Sequence, residues 1–393
     1  MNPEGIPIRQ LLLMEGGPLY HIQKAVGLGR ERARITIRIA TLLPLLTWVP
    51  MLILSAIQGT AWGSSVRMTF LEDFSAYTRF LLAMPLLLAA ETVVGPLIAE
   101  AAEHFILSGV VGSKDYAAYD SAVEKSLRSR DSAIAEIIML AATYCASWTS
   151  FREVAVQGAT WFATSAPGGL SLTWAGRWLV FFCVPLYQFL VLRWLWRTFL
   201  WFRFLRWISK LDLHLYPTHP DEAGGLGFVG HAQRFFSILL FTYSIGVTGV
   251  LANEIVYDKI PLQHFASGIV AYIVIALIVI IAPLAVFSGK LLKTKRVGLH
   301  QYGTLATAYT GTFQRKWIYD DPPNSEPLLG TSDIQSLADL GNSYALVERM
   351  NFIPVNPRTP IQLAIASLIP LTPLLFTVMP PKDLIKLLFK VVM

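Results

Sequence analysis

Apolar residues in this chain fall in long runs separated by short polar stretches. None of the runs alternates with period two, the mark of a half-buried strand. They are about 17–25 residues long, the length a helix needs to cross the hydrocarbon of a bilayer. In lipid every backbone N–H and C=O must be paired within its own segment, so the runs are predicted to be helices. Spans are expected near residues 35–57, 77–98, 132–150, 176–192, 235–256, 265–288 and 361–379. The last carries Pro370 and Pro373. It is expected to kink, or to re-enter instead of crossing. The expected fold class is therefore an all-α integral membrane protein of six to seven transmembrane helices with cytoplasmic interfacial helices.

The polar stretches divide the chain further. Residues 1–34 mix Arg9, Lys24, Arg30, Arg32 and Arg34 with leucines and predict a cytoplasmic amphipathic arm on the membrane surface. Residues 35–98 hold the first two spans, and 99–131 a cytoplasmic helical loop whose helix is expected to open at a capping box, Ser121 to Glu124. Residues 132–213 hold spans three and four; a turn is expected at Pro167-Gly168-Gly169. The fourth span has an Arg/Trp extension with Arg193 and Arg197 on one face and Arg203 and Arg206 roughly opposite. Tryptophan and arginine together predict a helix along the headgroup layer. A glycine- and histidine-rich loop occupies 214–231, spans five and six 232–288, and a cytoplasmic helical region 289–358. In that region a basic run (289–296) precedes one helix, and an acidic, proline-rich loop (320–330) precedes another, capped by Ser332 and Gln335 and ending near Met350. Residues 359–393 hold the last span, with Thr359 as N-cap, Pro360 first in the helix and Gln362 at N3, and a tail with Lys382, Lys386 and Lys390.

Composition sharpens the class. The chain is 54% apolar and only 15% charged, against about 25% charged in soluble domains. Its two cysteines, Cys145 and Cys183, lie inside apolar runs and exclude a disulfide framework or zinc ribbon. They are expected to act as small buried hydrophobes. No small-residue cleavage site follows a short apolar core near the start, so the first span is expected to be its own uncleaved signal. Lys and Arg concentrate in the arm, 99–131, the Arg/Trp extension and 289–296, which places these segments and the N-terminus in the cytoplasm.

Candidate chemistry is concentrated in 214–231. His219, Asp221, Gly224, Gly225, Gly227 and His231 form a candidate binding loop. Gly225 to Gly230 fits G-x-G-x-x-G, but no strand precedes it and a membrane span follows, so a dinucleotide fold is not expected. Glycines before a helix still expose amides that suit a phosphate or carboxylate, such as a lipid headgroup; the alternative is a tight turn. His214, His219, Asp221 and His231 offer nitrogen and oxygen ligands for a divalent metal, although their spacing fits no metal motif. The alternative is that His219 and Asp221 cap the turn. Within the membrane Arg79, Glu91 and Glu136 stand out, because ionisable groups there are costly and line polar paths or pair. Arg79 and Glu91 lie about 18 Å apart on one helix and cannot pair with each other; Arg79 is expected near the outer interface, where the alternative is simple snorkelling, and Glu91 deeper, on the cytoplasmic half. Glu91 and Glu136 are expected at similar depth, serving a cation or proton path or each paired with an arginine.

Arg79 to Glu91, His219-Pro-Asp-Glu-Ala-Gly-Gly-Leu-Gly-Phe228 and Asp333-Ile-Gln-Ser-Leu-Ala-Asp-Leu-Gly-Asn-Ser343 resemble segments of an uncharacterised family of bacterial multispan membrane proteins. The resemblance implies the bacterial inner membrane and brings no activity. A transporter or channel-like protein for an ion or small solute is the leading expectation, with Glu91 and Glu136 along a polar pathway and the glycine-rich loop as its cytoplasmic mouth or anion site. A membrane-bound metal enzyme using the His/Asp loop and a membrane scaffold or sensor are the alternatives. No catalytic motif is present, so a non-enzyme is favoured. The expected partners are the bilayer and anionic headgroups, not nucleic acid; a homo-oligomer is left open.

Overall fold

The computed structural model describes residues 9–17, 32–154, 159–166, 169–319 and 332–377. The Pro167-Gly168 turn, the 320–330 loop, the lysine tail and most of the N-terminal arm lie outside the described residues. The described chain is almost entirely helical. Its long helices are α1 (Arg32–Ile57), α2 (Phe74–Leu107), α3 (Tyr116–Arg130), α4 (Ala133–Val154), α5 (Trp174–Ile208), α6 (Gly227–Tyr257), α7 (Leu262–Tyr319), α8 (Ser332–Arg349) and α9 (Arg358–Thr377). A short antiparallel hairpin, β1 (Ala163–Ala166) with β2 (Gly169–Leu172), precedes α5, where the sequence predicted only a turn. Among the described residues six helices are long and apolar enough to cross a membrane: α1, α2, α5, α6, α7 and α9. The pair Ser113–Arg130 and Ala133–Thr149, bent by 43°, would make a seventh. Large apolar side chains such as Leu45, Ile53, Ile137, Val274 and Ile278 stand exposed on these helices. A surface of that kind suits lipid and not water.

Prolines inside the helices explain much of the packing. A proline gives no N–H and pushes off the carbonyl four residues back. Pro85 and Pro185 each follow a widened π-helical turn, Tyr77–Ala83 in α2 and Leu179–Cys183 in α5. With Val184 N–H bonded to the Leu179 carbonyl, the Val180 carbonyl would need the N–H that Pro185 lacks. The Ser147 hydroxyl of α4 donates to it instead at 2.7 Å. Pro50 likewise orphans the Leu46 carbonyl of α1, which accepts from Trp178 Nε1 of α5 at 3.3 Å. In α9 the helix tightens to a 3₁₀ form over Ile369–Thr377, and Pro373 removes the donor for the Pro370 carbonyl. Thr248 of α6 donates to that carbonyl at 2.9 Å. An unpaired backbone group in hydrocarbon costs several kcal/mol, so each proline specifies which neighbour must pack there. Where a kink was expected in the last span, the helix tightens to this 3₁₀ segment.

Several expectations change. α3 starts at Tyr116, five residues before the supposed cap, so Ser121 lies inside the helix. Thr359 lies inside α9 and its hydroxyl accepts from Arg234 Nε at 3.2 Å. Gln335 donates to Asp339 at 2.9 Å instead of closing a capping box. The sixth span does not end before a separate helix. α7 runs on through a 3₁₀ turn at Ala282–Phe287, and its far half packs on α8 as a helical hairpin. Cys183 is buried as expected, but Cys145 is exposed. Residues 11–17 are mostly buried and do not lie on a surface. Leu11, Leu13 and Met14 are buried in the bundle, and Arg9 reaches Asp120 and Glu124 of α3 at 3.5 and 3.4 Å.

Candidate functional site

Three polar constellations occur among the described residues, and the sequence anticipated parts of each. The first is the glycine loop. The Asp221 carboxylate accepts backbone N–H bonds from Ala223 (2.8 Å), Gly225 (3.1 Å) and Gly227 (2.7 Å). His219 Nδ1 lies 2.8 Å from it. That contact requires a proton on Nδ1, so the 3.3 Å approach of the Asp221 N–H to the same nitrogen is not a bond in that state. Gly224 and Gly225 take positive φ, 65° and 97°, which winds the turn around the carboxylate. The loop's anion is thus its own Asp221. Gly230 lets the chain beyond α8 cross α6, for a Cβ there would collide with the Pro354 carbonyl. His214, His219 and His231 are exposed, and among the described residues no three His, Cys, Asp or Glu side chains gather at metal distance. The four residues suggested as metal ligands are therefore not brought together as one set.

Burial pushes the Asp221 carboxyl up, but the three amides and His219 outweigh it and hold it below the usual carboxylate range. A depressed folded-state value stabilises the fold above the unfolded value, about 3.9, and the gain is lost as pH falls through the folded value. Asp221→Asn is therefore expected to lower stability by about 0.5–2 kcal/mol, the range for a lost helix cap. The gap between variant and wild type should close below about pH 4. Thermal melts of the purified protein against pH read both effects, and a gap that persists at low pH would contradict this account.

The second constellation lies half-way along α2 and α5. Glu91 Oε1 stands 3.2 Å from Arg193 and 2.8 Å from Arg197. The Arg197 approach is an ion-pair contact, not an aligned hydrogen bond. Arg193 and Arg197 are 5% and 2% exposed at their side chains, so they are not in the headgroup layer as expected. They share a face, as predicted, and that face turns inward to a carboxylate. Residues 9–17 close this cluster from one side. Arg197 donates to the Met14 carbonyl at 3.2 Å, Arg130 to the Leu12 carbonyl at 2.6 Å, and the Gly17 N–H to Asp131 at 2.8 Å. A Cβ on Gly17 would come within 2.5 Å of a Glu136 carboxylate oxygen, so Glu136 also borders this segment.

The third constellation is a cavity of about 340 Å³ at the opposite end of the bundle, walled by α2, α4, α5 and α6. Arg67, Asp73, Arg79, Thr160, Gln188 and Glu254 bring polar groups to it. Most of its charges are spent. Arg67 pairs with Asp258, and Asp73 accepts from Trp161 Nε1 at 3.0 Å, Asn253 Nδ2 at 2.7 Å and two backbone amides that it caps. The Arg79 guanidinium has no hydrogen bond or ion pair to any described residue. Gln188 Oε1 and Thr160 Oγ1 are buried without a hydrogen-bond partner among the described residues. Arg79 sits in the π-helical turn of α2, the bulge type that often marks functional sites. A second cavity of about 370 Å³ between α4, α5 and α6 shares Arg79, Tyr187, Gln188 and Val250 with the first, so Arg79 stands at the junction of the two.

Of the residues singled out in the sequence, Arg79 reaches this cavity, Glu91 the ion cluster and Glu136 its border, while His219 and Asp221 build a turn. Gln188 and Glu254 were missed. The available signal was a lone amide inside the apolar run 176–192 and a carboxylate three residues before the end of α6.

No model of a known protein family, no curated protein and no solved structure matches the chain.

Proposed function

We propose that this chain is an integral membrane protein that moves a small polar solute, and that the Arg79 cavity is its vestibule. The observation that carries this reading is an unpartnered guanidinium in a cavity between four helices, three of them long and apolar enough to span a membrane. Arg79 is half-buried; a cation at membrane depth without a counter-charge is costly, and a polar solute entering the cavity would supply its partner. The basic residues support the orientation. Lys125, Arg128 and Arg130 of α3 and Lys290, Lys293, Lys295 and Arg296 of α7 belong to the end of the bundle opposite the vestibule, which the positive-inside tendency assigns to the cytoplasm. The vestibule then opens outward, and the N-terminus is cytoplasmic. The resemblance noted above adds the bacterial inner membrane as the setting. Beneath the vestibule the Glu91 cluster and residues 9–17 form the closed inner half. The two π-helical turns beside the vestibule are the places where α2 and α5 can shift register to open it.

Orientation is tested by thiol labelling in right-side-out vesicles, in a chain whose Cys145 and Cys183 are replaced by serine. Ser75→Cys, at the vestibule, is expected to react with a membrane-impermeant maleimide at once, and His231→Cys only after the vesicles are opened. The reverse pattern would turn the protein over and discard the outward vestibule.

A further inference from the structure

We infer that the vestibule takes small zwitterions of the amino-acid type, with Arg79 holding the carboxylate and Glu254 the ammonium. This rests on the reading of the cavity as a solute site. Three carboxylates and two arginines line it. Arg67 and Asp258 neutralise each other, and the Asp73 oxygens are taken by Trp161, Asn253 and the amides of its own helix turn. What remains is one guanidinium and one carboxylate, Arg79 and Glu254, neither with a hydrogen bond or ion pair to a described residue. Both line the one cavity. Val250 of α6, like Arg79, lines both cavities, and Glu254 follows Val250 by about one helical turn.

The uncharged groups agree. Gln188 Oε1 can only accept, and it needs an N–H or O–H donor that a bare carboxylate or inorganic anion does not bring. An ammonium brings three. Thr160, 92% buried by its 8% exposure, can donate to a carboxylate through its partnerless hydroxyl. A simple anion would leave Gln188 unsatisfied and face Glu254. A simple cation would face Arg79. A molecule with both charges answers all four groups. The volume, about 340 Å³, is at the small end of ligand sites, which run from about 300 Å³ upward.

The test measures thermal stabilisation of the detergent-purified full chain by glycine, L-alanine and L-leucine, beside propionate and propylamine, followed by equilibrium binding of whichever amino acid stabilises most. At least one amino acid is expected to raise the melting temperature while propionate and propylamine do not. Arg79→Gln and Glu254→Gln are each expected to weaken binding by about tenfold or more, the loss of one charge-assisted contact. Arg79→Lys, which keeps the charge, should retain measurable binding and shows that loss in Arg79→Gln is not misfolding. Propionate acting as well as alanine, with Glu254→Gln neutral, would overturn the zwitterion in favour of an anion and leave transport standing. Propylamine acting as well as alanine, with Arg79→Gln neutral, would overturn it in favour of a cation. Absence of binding by every compound, with solute flux still present in liposomes, would also sink the zwitterion alone. Absence of both would remove the vestibule reading as well.

Discussion

Glu91→Ala is expected to destabilise the protein by about 3–5 kcal/mol, the cost of removing one partner of a buried ion pair. Glu91 is the only acid in direct contact with Arg193 and Arg197 among the described residues. Without it two guanidiniums, 5% and 2% exposed, stay charged in the centre of the bundle. Arginine cannot shed its proton to escape, as a lysine could. Arg197 keeps its bond to the Met14 carbonyl, a dipole and not a charge. Removing all three charges together, as Glu91→Leu with Arg193→Met and Arg197→Met, should recover most of the loss, because a matched apolar replacement carries no desolvation cost. Unfolding in denaturing detergent, followed by loss of helical signal, compares the single and triple variants. A single variant as stable as wild type would mean that the cluster is hydrated and is not a sealed inner barrier.

Arg79→Ala is expected to have the opposite profile, a large loss of function with little loss of stability. Nothing among the described residues pairs with the Arg79 side chain, so its removal strands no neighbour. It also removes an uncompensated charge from the junction of the two cavities, which should leave the melting temperature unchanged or raised. A hydrogen bond to a charged group is worth about 1.5–3 kcal/mol, so solute flux should fall by about tenfold to a hundredfold. Arg79→Lys should lie between wild type and alanine, since an ammonium supplies the charge without the planar fork. Loss of stability together with flux would instead make Arg79 a structural residue.

The helices were legible because lipid imposes one rule on every span, and runs of apolar residues state it directly. Even the change of the last span to a 3₁₀ form falls at Pro370 and Pro373. What the sequence hid were partners far apart in the chain. Arg193 and Arg197 share a stripe with tryptophans, and that composition suits a headgroup layer as well as it suits a buried pairing with Glu91, a hundred residues away. Leu11 to Met14 reads as part of an amphipathic arm, because nothing local says that the Met14 carbonyl meets Arg197. The glycine loop attracted attention through its histidines, yet its chemistry is consumed internally by Asp221 and three amides. The vestibule was half visible. Arg79 is conspicuous in an apolar run, whereas Gln188 and Glu254 acquire meaning only when α2, α5 and α6 are set side by side.

The central claim is solute movement through the Arg79 vestibule. Its most direct test is release from proteoliposomes loaded with a mixture of small amino acids, short carboxylates and amines, with the lumen contents followed by mass spectrometry. At least one solute should leave faster from vesicles holding wild-type protein than from protein-free vesicles, and Arg79→Ala should remove most of that excess. Identical release from all three preparations, with wild-type protein folded and inserted, would contradict the account.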